Sequence, residues 1–330
     1  MRAWLSVEAG GPETLVLAEV PTPTPAEREV VVAVRACGIN FFDYLIIQDL
    51  YQLKPPRPFS PGAEWAGVVI NVGADVTSLM PGDHVLGAAS YGALAEIVTT
   101  PEATCRPLPA RMSFTDGAGY QTAFGTSYYS LRHRGQIAPG ERLLVLGAAG
   151  GVGAAAVQIG KALGAIVFAQ VSTEAKAAFA RSQGADDVIV LSDDAAPGAA
   201  TTAFKQLCGA DGVNVVFDPV GGVFAEAALR CLAWDGRYLV VGFTGGIPTF
   251  PLNLPLLKHA AVLGCRWGAF ARANPNAAAT YTSELDAMLE RSLISPSVTK
   301  IFPFLSAREA IAHLGSRQAV GKAVVEVSAG

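Results

Sequence analysis

Hydrophobic and polar positions follow a strand-like pattern from Met1 to about residue 115. Short runs rich in β-branched residues are separated by glycine, proline and aspartate, an arrangement typical of strands joined by turns. The clearest runs are EVVVAVRACGI (29–39), EWAGVVINVG (64–73), PGDHVLG (81–87) and ALAEIVTT (93–100). The pattern predicts a β-rich domain with a partly barrel-like sheet.

The pattern changes between about residues 120 and 265, where apolar runs with little alternation are separated by helix-like segments. Strands of this kind are typical of a parallel sheet covered by helices on both faces. The runs are RLLVLG (142–147), AIVFAQV (165–171), DDVIVL (186–191), VNVVFDPV (213–220) and GRYLVVGF (236–243). Because AVVEV (323–327) returns to the first pattern, we predict an α/β domain at 120–265 inserted in a β-rich domain formed by 1–119 and 266–330.

Composition and charge exclude several classes of partner. The 330 residues are 51% hydrophobic and 16% charged, and the formal net charge is −4. No basic field therefore exists to attract nucleic acid or acidic lipid. No uncharged apolar run reaches the roughly 18 residues that a membrane span needs, and the amino-terminal sequence lacks the order of a targeting signal. We expect neither a nucleic acid nor a membrane as a partner.

The cysteines are scattered along the chain and include no CxxC pair. They are Cys37, Cys105, Cys208, Cys231 and Cys265. An odd number of isolated thiols fits a reducing compartment better than it fits a disulfide framework. We therefore expect reduced thiols and a cytoplasmic location.

A cluster of glycines lies between the predicted strand RLLVLG and an alanine-rich, helix-like segment. Ala148–Gly153 reads AAGGVG, and such a turn between strand and helix is typical of a dinucleotide site. The second glycine of the motif lets the backbone approach a pyrophosphate, and the third lets the helix pack closely. Unpaired N–H groups at the helix start then bind phosphate. Ala148 replaces the first glycine, which a turn made by Gly147 accommodates; alternatively, the glycines only shape a tight turn.

The end of the second predicted strand of this domain bears on which dinucleotide binds. Sites that prefer NAD carry a carboxylate there for the ribose 2′-hydroxyl, whereas this chain reads QVST and has no acid before Glu174. Ser172 and Lys176 are placed to hold a 2′-phosphate instead, Lys176 as a point charge. The alternative is that Lys176 is an ordinary solvated helix residue.

A series of motifs resembles the medium-chain dehydrogenase/reductase superfamily and, within it, the zinc-independent NADPH:quinone oxidoreductase branch. The motifs extend over essentially the whole chain. They include CGINFFDYLIIQDLY (37–51), FSPGAEWAGVV (59–69), LGAAGGVGAAAVQIGKALGA (146–165), VGFTGGIP (241–248) and GKAVV (321–325). The resemblance implies a Rossmann doubly wound parallel sheet inserted in a β-rich GroES-like domain, with NADPH as the cofactor.

The resemblance also implies the residues of the site. Asn40, Tyr44 and Tyr51 line the substrate cleft from the β-rich domain, and Asn40 and Tyr44 donate hydrogen bonds to a substrate oxygen as it gains charge. Alternatively, Tyr44 and Tyr51 are only packed aromatic residues. We expect Asp43 to be the N-cap of a short helix.

The residues predicted to bind the cofactor lie mostly in the α/β domain, and turn chemistry alone is the alternative for those after the later strands. Arg317 matches a family position that reaches the same 2′-phosphate as Lys176. The full set is Asn40, Thr126, Tyr129, Gly150, Gly151, Val152, Gly153, Ser172, Lys176, Val220, Gly242, Phe243, Thr244 and Arg317.

The resemblance predicts that no metal is bound. Zinc dehydrogenases of the superfamily carry ligands where this chain has Asn40, Ala63 and, approximately, Thr122. Their structural zinc lobe of four cysteines has no counterpart in this sequence. Cys37 stands three positions from a ligand place and is expected to be a buried thiol.

Three departures from the family pattern concern ligand binding. Leu191 stands where some relatives carry an aromatic hydroxyl that contacts the 2′-phosphate, so we expect a moderate preference for NADPH. Ile47 replaces a frequent basic residue and Asp49 replaces a glycine. The entrance to the cleft is therefore expected to be more apolar and to carry a new carboxylate.

Without zinc, no Lewis acid polarises an alcohol, so the resemblance implies hydride transfer from NADPH to an acceptor that is already electrophilic, such as a quinone or an enone. The alternatives are an NADPH-dependent enoyl or 2-alkenal reductase and an NADPH-binding protein without turnover.

Resembling proteins pair through the region that matches residues 247–267. We therefore expect a homodimer, unless this apolar run forms an internal core strand.

Overall fold

The computed structural model of the chain describes residues 1–192 and 198–327. Each run predicted as a strand overlaps a strand of the structure. The strands are β1 Arg2–Ser6, β2 Leu15–Glu19, β3 Glu29–Ile39, β4 Glu64–Val72, β5 His84–Ala88, β6 Ile97–Pro101, β7 Cys105–Pro107, β8 Arg142–Val145, β9 Ile166–Val171, β10 Asp187–Val190, β11 Val213–Asp218, β12 Leu232–Val240, β13 Ala261–Gly264, β14 Val298–Pro303 and β15 Lys322–Glu326.

Helices of very different length connect these strands. They are α1 Phe41–Ile46, α2 Phe114–Ala118, α3 Gln121–Tyr128, α4 Gly151–Ala162, α5 Glu174–Ser182, α6 Ala199–Cys208, α7 Ala225–Arg230, α8 Asn253–Lys258, α9 Trp267–Ala273, α10 Pro275–Glu290 and α11 Ala307–Gly315. A π-helical turn, Tyr129–Arg134, continues α3. None of these helices combines the length and the apolar character that crossing a membrane requires.

The chain divides into two compact units. Met1–Thr122 and the chain from Pro296 onward form the first unit, and Ala123–Ser295 forms the second. Residues 266–295 therefore belong to the second unit, whereas the sequence pattern assigned them to the β-rich domain.

Aromatic packing explains this difference at residues 266–295. The ring of Phe270 on α9 lies 4.6 Å from that of Tyr129 in the π-helical turn. Tyr281 on α10 shares a hydrogen bond of 2.6 Å between its hydroxyl and Nδ1 of His133. These contacts attach α9 and α10 to the second unit, and local periodicity does not indicate which core a helix will join.

The first unit contains a mixed sheet of order β14–β15–β3–β4–β5–β7, with β6 paired to the other half of β3. The strand β3 is long because EVVVAVRACGI is apolar at most positions, and most of its residues are buried. The strand β15 lies inside this sheet, parallel to β14 and antiparallel to β3. Val324 and Val325 are fully buried, so the carboxyl-terminal strand is part of the core.

The second unit contains a parallel sheet of order β10–β9–β8–β11–β12–β13. Counted from β8, this is the 3-2-1-4-5-6 order of a doubly wound dinucleotide-binding sheet, which confirms the predicted fold class. Ligands of such sheets bind outside the carboxyl ends of the strands where the order reverses, which is here between β8 and β11. The strand β13 was not among the predicted runs, and it lies at one edge of the sheet.

Candidate functional site

A tight turn joins β8 to α4 at the point where the strand order of the second unit reverses. Gly147 has a φ of 58°, which is the left-handed conformation that residues with a side chain rarely adopt. Ala148 is fully buried beside it. Gly147 therefore makes the tight turn, as expected from the replacement of the first motif glycine by alanine.

Two glycines of this turn lack a side chain for different reasons. A Cβ on Gly153 would lie 2.2 Å from the carbonyl oxygen of Gly147, so α4 packs directly on the backbone of the turn. Gly150 is the N-cap of α4, and the nearest heavy atom to its ideal Cβ position is 3.6 Å away. The protein leaves space at Gly150, next to the first N–H groups of α4 on Gly151 and Val152. Such groups lack helical acceptors and bind phosphate.

The buried side chain of Gln170 on β9 holds this turn in place. The side-chain Oε1 of Gln170 accepts a hydrogen bond of 3.1 Å from the Gly147 N–H. The backbone carbonyl oxygen of Gln170 accepts one of 3.0 Å from the Ala148 N–H. Its Nε2 donates to the Leu191 carbonyl oxygen at 2.9 Å. Sequence reasoning missed Gln170, although an amide within an apolar strand is a signal because buried amides need partners.

Ser172 and Lys176 come together where β9 ends and α5 begins. The half-buried Lys176 donates from Nζ to Oγ of Ser172 at 3.0 Å. Thr173, the N-cap of α5, accepts at Oγ1 from the Lys176 N–H at 3.3 Å. The pair presents an ammonium and a hydroxyl after β9, and Arg317 lies in the first unit. Contact of these three residues with a phosphate stays a prediction.

The carboxylate of Asp218 organises the loop that follows β11. Its Oδ1 accepts hydrogen bonds from the N–H groups of Val220 and Gly221 at 2.7 and 2.8 Å. Its Oδ2 accepts from the hydroxyl of Tyr238 on β12 at 2.5 Å. Burial raises the pKa of Asp218 above its ordinary range. Asp218 lies in the predicted strand VNVVFDPV, but the sequence pattern did not indicate this anchoring role.

Val220 and Gly242–Thr244 are brought together at the ends of β11 and β12. The Thr244 N–H donates to the Pro219 carbonyl oxygen at 3.3 Å, and the Gly242 N–H donates to the Asp218 carbonyl oxygen at 3.2 Å. A Cβ on Gly147 would lie 2.7 Å from Cγ2 of Val220, so Val220 packs on the glycine turn. These predicted residues therefore lie at the ligand-binding edge of the sheet.

Thr126 and Tyr129 lie near the start of α4 and in an aromatic cluster, respectively. Ser127, which follows Thr126, donates from Oγ to the Val152 carbonyl oxygen at 2.9 Å and so anchors α3 to the first turn of α4. Tyr129 is buried, and its ring packs on Trp267 and Phe270. Packing accounts for the position of Tyr129, and its contact with a cofactor stays a prediction.

A buried ionic cluster surrounds Asn40 in the first unit. Lys322 donates from Nζ to Oδ1 of Asn40 at 2.6 Å and also to Oε1 of Glu64. Asn40 donates from Nδ2 to the same Oε1 at 2.9 Å, and the Thr122 N–H donates to Oε2 of Glu64 at 2.8 Å. Glu64 is fully buried and Lys322 is 5% exposed. Sequence reasoning missed both charges, although a charge within a buried strand implies a partner.

The role expected of Asp43 is corrected by the structure. Asn40, not Asp43, is the N-cap of α1, and Asp43 is the third residue of the helix. Asp43 is buried, and its carboxylate accepts hydrogen bonds from the Asn40 and Gly62 N–H groups at 2.7 and 2.9 Å. Burial raises the pKa of Asp43 to about 6. Cys37 is a free, fully buried thiol, as expected.

Tyr44 and Tyr51 are half-buried aromatic residues. A Cβ on Gly315 of α11 would lie 2.4 Å from Cε2 of Tyr44, so the Tyr44 ring packs directly on that glycine. The ring of Tyr51 contacts Phe42 edge to face, with centroids 4.6 Å apart. Both rings take part in packing, and their roles toward a substrate stay predictions.

The carboxylate of Asp49 is paired within the protein. Arg57 donates from Nη1 and Nη2 to the two Asp49 oxygens at 3.1 and 3.0 Å, and from Nη2 to the Ile47 carbonyl oxygen at 2.9 Å. Asp49 has a φ of 58°, a conformation that glycine adopts readily. Asp49 therefore adds a carboxylate whose charge Arg57 neutralises, and its place at the entrance of a cleft stays a prediction.

Metal-ligating side chains do not gather in the described part of the chain. Within residues 1–192 and 198–327, no group of three or more His, Cys, Asp and Glu side chains is arranged to hold a metal ion.

Family models match both parts of the chain. Residues 26–110 match the alcohol dehydrogenase GroES-like domain, and residues 151–284 match the zinc-binding dehydrogenase model. The chain is 36% identical over 329 residues to quinone oxidoreductase-like protein 2 of Mus musculus, covering 99% of this chain and 92% of that protein.

Solved structures are similar over the same extent. Escherichia coli quinone oxidoreductase complexed with NADPH is 31% identical, with a TM-score of 0.91 over 99% of this chain and 100% of that chain. The CurK enoyl reductase is 26% identical, with a TM-score of 0.87 over 99% of each chain.

Proposed function

Since this chain belongs to the quinone oxidoreductase family of the medium-chain dehydrogenases/reductases, we propose that it is an NADPH-dependent, zinc-independent oxidoreductase that reduces a quinone or a similarly electrophilic small molecule.

The second unit fits a dinucleotide. The space at Gly150 admits a phosphate close to the backbone, where the N–H groups of Gly151 and Val152 donate to it. Ser172 and Lys176 follow the second strand of the sheet, where an NAD-preferring site would carry a carboxylate. An ammonium and a hydroxyl at this place favour a 2′-phosphate, so NADPH is the proposed cofactor, and its reduced nicotinamide supplies the hydride when bound.

Asn40 is the proposed catalytic donor on the substrate side. As hydride reaches a quinone or enone, negative charge develops on the substrate oxygen, and a fixed N–H donor stabilises that charge. The Asn40 amide is held by two buried ionic partners, Glu64 and Lys322. Tyr44 and Tyr51 supply half-buried aromatic surface for a flat acceptor and, for Tyr44, a hydroxyl donor.

The observation that carries the proposal is this ionic cluster around Asn40. At the places where zinc dehydrogenases carry ligands, this chain has Asn40, Ala63 and Thr122, and the Lys322 ammonium binds both Asn40 and Glu64. A cation already paired with the carboxylate repels a second cation at the same place. The residues therefore support hydride transfer assisted by hydrogen bonds.

A turnover assay with NADPH tests this function. Purified protein is assayed with 9,10-phenanthrenequinone and a panel of enones, and its zinc content is measured on the same sample. NADPH oxidation that depends on the quinone, with less than a tenth of an equivalent of zinc, supports the proposal. One zinc per chain, with activity lost on chelation, contradicts it, and NADPH binding without turnover shows a non-enzymatic protein.

Cofactor preference is tested by removing both predicted phosphate contacts. The double variant Lys176→Ala/Arg317→Ala should lose roughly a hundredfold in NADPH affinity, since each charge-assisted contact contributes about 1–2 kcal/mol. NADH affinity should hardly change. Lys205→Ala, an exposed lysine on α6, is the matched control. Equal losses for NADPH and NADH contradict selection of the phosphate by these residues.

Enoyl reduction is the second candidate activity. The likeness to the CurK enoyl reductase favours it, and the same cofactor geometry serves both reactions. Faster turnover of a 2-alkenal or an enoyl thioester than of quinones in the acceptor panel would make it the preferred assignment.

We also propose a homodimer formed at the edge of the second sheet. The strand β13 is an edge strand, and Ile247, Leu252 and Leu256, which precede it in the chain, are 82%, 79% and 79% exposed. An uncovered apolar edge promotes pairing with a second copy. Light scattering should show a dimer that Leu256→Lys weakens; a monomer at micromolar concentration contradicts the proposal.

The five unpaired cysteines fit the proposed cytoplasmic location.

A further inference from the structure

The side-chain amide of Asn40 has an acceptor end and a donor end. Only the donor end can stabilise the negative charge that develops on a substrate oxygen. An asparagine side chain presents a carbonyl acceptor on one side and an NH2 donor on the other, and the two orientations have almost the same shape. We propose that the buried Lys322–Glu64 ion pair fixes the orientation of the Asn40 amide so that Nδ2 is its donor to the substrate. Lys322 and Glu64 then act as positioning residues.

The chemistry of the two charged groups permits one orientation only. An ammonium donates hydrogen bonds and accepts none, whereas a carboxylate accepts and donates none. Asn40 lies between them, with Oδ1 2.6 Å from Nζ of Lys322 and Nδ2 2.9 Å from Oε1 of Glu64. Rotating the amide by half a turn would place the Asn40 NH2 group against the Lys322 ammonium, donor against donor. It would also place Oδ1 against the Glu64 carboxylate, acceptor against acceptor. Both hydrogen bonds would be lost inside a buried cluster.

The neighbouring backbone keeps the ion pair itself in register. Glu64 is fixed at its other oxygen, because Oε2 accepts from the Thr122 N–H at 2.8 Å. Lys322 is the first residue of β15, which pairs with β3 along Ala323–Glu326. Asn40 directly follows β3 and begins α1. The amide is thus held from β15 and from β4, two strands that flank β3 in one sheet.

The second hydrogen of Nδ2 has only a weak partner in the protein. The first donates to Glu64 at 2.9 Å, whereas the hydrogen bond from Nδ2 to the Gly38 carbonyl oxygen is 3.5 Å long, so a substrate oxygen can replace it. Asn40 is half-buried whereas Glu64 and Lys322 are buried, so Asn40 is the most exposed residue of the cluster. A donor fixed before the reaction stabilises developing charge without reorganising. The inference rests on the proposed function only for the identity of the oxygen that receives this hydrogen bond.

The test separates amide orientation from turnover. Side-chain amide signals are recorded on protein labelled with 15N at asparagine, and the Asn40 pair is assigned by its loss in Asn40→Ala. The main variant is Lys322→Met/Glu64→Gln, which removes both charges together, because removing one would leave the other buried and unpaired. Glu64→Gln alone, which keeps the shape of the side chain, is the second variant. Lys322→Arg keeps a donor-only cation, and Lys300→Met, an exposed lysine on β14, is the control.

In the wild type and in Lys300→Met we expect the Asn40 side-chain amide to show one fixed orientation and slow exchange of the Nδ2 hydrogen that is bonded to Glu64. In the double variant and in Glu64→Gln, this hydrogen should exchange with solvent at least tenfold faster, and kcat should fall roughly tenfold to a hundredfold. KM for the quinone should change far less than kcat. Lys322→Arg should restore much of both the protection and kcat.

Several outcomes overturn the inference. If the folded double variant keeps the amide protection and the kcat of the wild type, the ion pair does not determine the orientation of the Asn40 amide. A fall in kcat without any change in the amide signals, together with loss of one limb of the pH profile of kcat, shows that Lys322 transfers a proton itself. If the wild type turns over no acceptor, the proposed function fails, and the amide signals still decide whether the ion pair orders Asn40.

Discussion

Replacing Gly150 by alanine is expected to weaken dinucleotide binding while leaving the second unit folded. Gly150 has a φ of −78° and a ψ of 166°, which alanine adopts without strain. Its Cβ would meet nothing closer than 3.6 Å. The change gains about 0.4–1 kcal/mol from the lower entropy of the unfolded chain and loses a similar amount as a poorer N-cap. The free energy of unfolding should therefore change by less than about 1 kcal/mol.

The same methyl group would occupy the space that we assign to a phosphate next to the first N–H groups of α4. Hydrogen bonds to a charged group contribute about 1.5–3 kcal/mol each, and weakening one of them raises Kd at least about tenfold. The pyrophosphate is common to both dinucleotides, so NADPH and NADH affinities should fall by the same factor. This equality distinguishes Gly150→Ala from the Lys176→Ala/Arg317→Ala variant.

Gly153→Ala is the contrasting variant. Its Cβ would lie 2.2 Å from the Gly147 carbonyl oxygen and 2.9 Å from the Ala148 Cα, so α4 must move away from backbone atoms. Overpacking of this kind costs about 1–3 kcal/mol. In a unit of this size, the cost lowers Tm by between about 2 and 12 °C. Gly268→Ala on α9, where the nearest atom is the end of a flexible arginine 3.8 Å away, is the matched control and should not lower Tm.

Calorimetric titration with both dinucleotides and thermal unfolding of the free proteins provide the measurements. Wild-type affinity in Gly150→Ala would refute the assignment of the space at Gly150 to a phosphate. A wild-type Tm in Gly153→Ala would refute the packing argument for the third glycine of the motif.

Two further predictions concern carboxylates of the first unit. Burial raises the pKa of Asp43 to about 6, above the value near 3.9 of an unfolded chain. The stabilisation of the folded state by the protonated Asp43 carboxyl is therefore complete below about pH 4 and is lost as pH rises through 6. The free energy of unfolding of the wild type minus that of Asp43→Asn should fall by roughly 3 kcal/mol between pH 4 and 7; urea titrations that give a constant difference contradict this. Asp49→Ala should lower stability about 1 kcal/mol more than Asp49→Gly, since alanine keeps the left-handed strain at φ 58° without the Arg57 bond. Equal losses in chemical unfolding would show that the backbone at Asp49 is not strained.

Local sequence pattern was sufficient for the glycine turn and for each run predicted as a strand, although it missed strands such as β2, β13 and β14. The run EVVVAVRACGI became β3 at the same residues, 29–39, because apolar, β-branched positions leave a buried strand as the favoured conformation. The turn was recognisable because Gly147 is required by its own positive φ, and Gly153 is required by its close approach to the carbonyl oxygen of Gly147. Signals that act over such short distances are legible in one sequence.

The residues that hold Asn40 could not be predicted from the sequence in the same way. Lys322 and Glu64 are 258 residues apart and meet only because β15 and β4 both flank β3. The pattern suggested that β15 returns to the first sheet, but it did not give the register that places Lys322 beside Asn40. The helix cap was misplaced by three residues because Asn40 and Asp43 are both good capping residues, and only the structure shows which one precedes the helix.

The position of β15 determines the order in which the two units reach their final form during synthesis. Strands β1–β7 of the first unit precede the second unit in the chain, yet the sheet of the first unit is complete only after residues 322–326 have left the ribosome. The described strands of the second unit lie before residue 322, so this unit can fold while the first unit still exposes an unpaired edge on β3. Of the two units, the one that is started first is therefore finished last, and its open edge on β3 must stay protected while the second unit is synthesised.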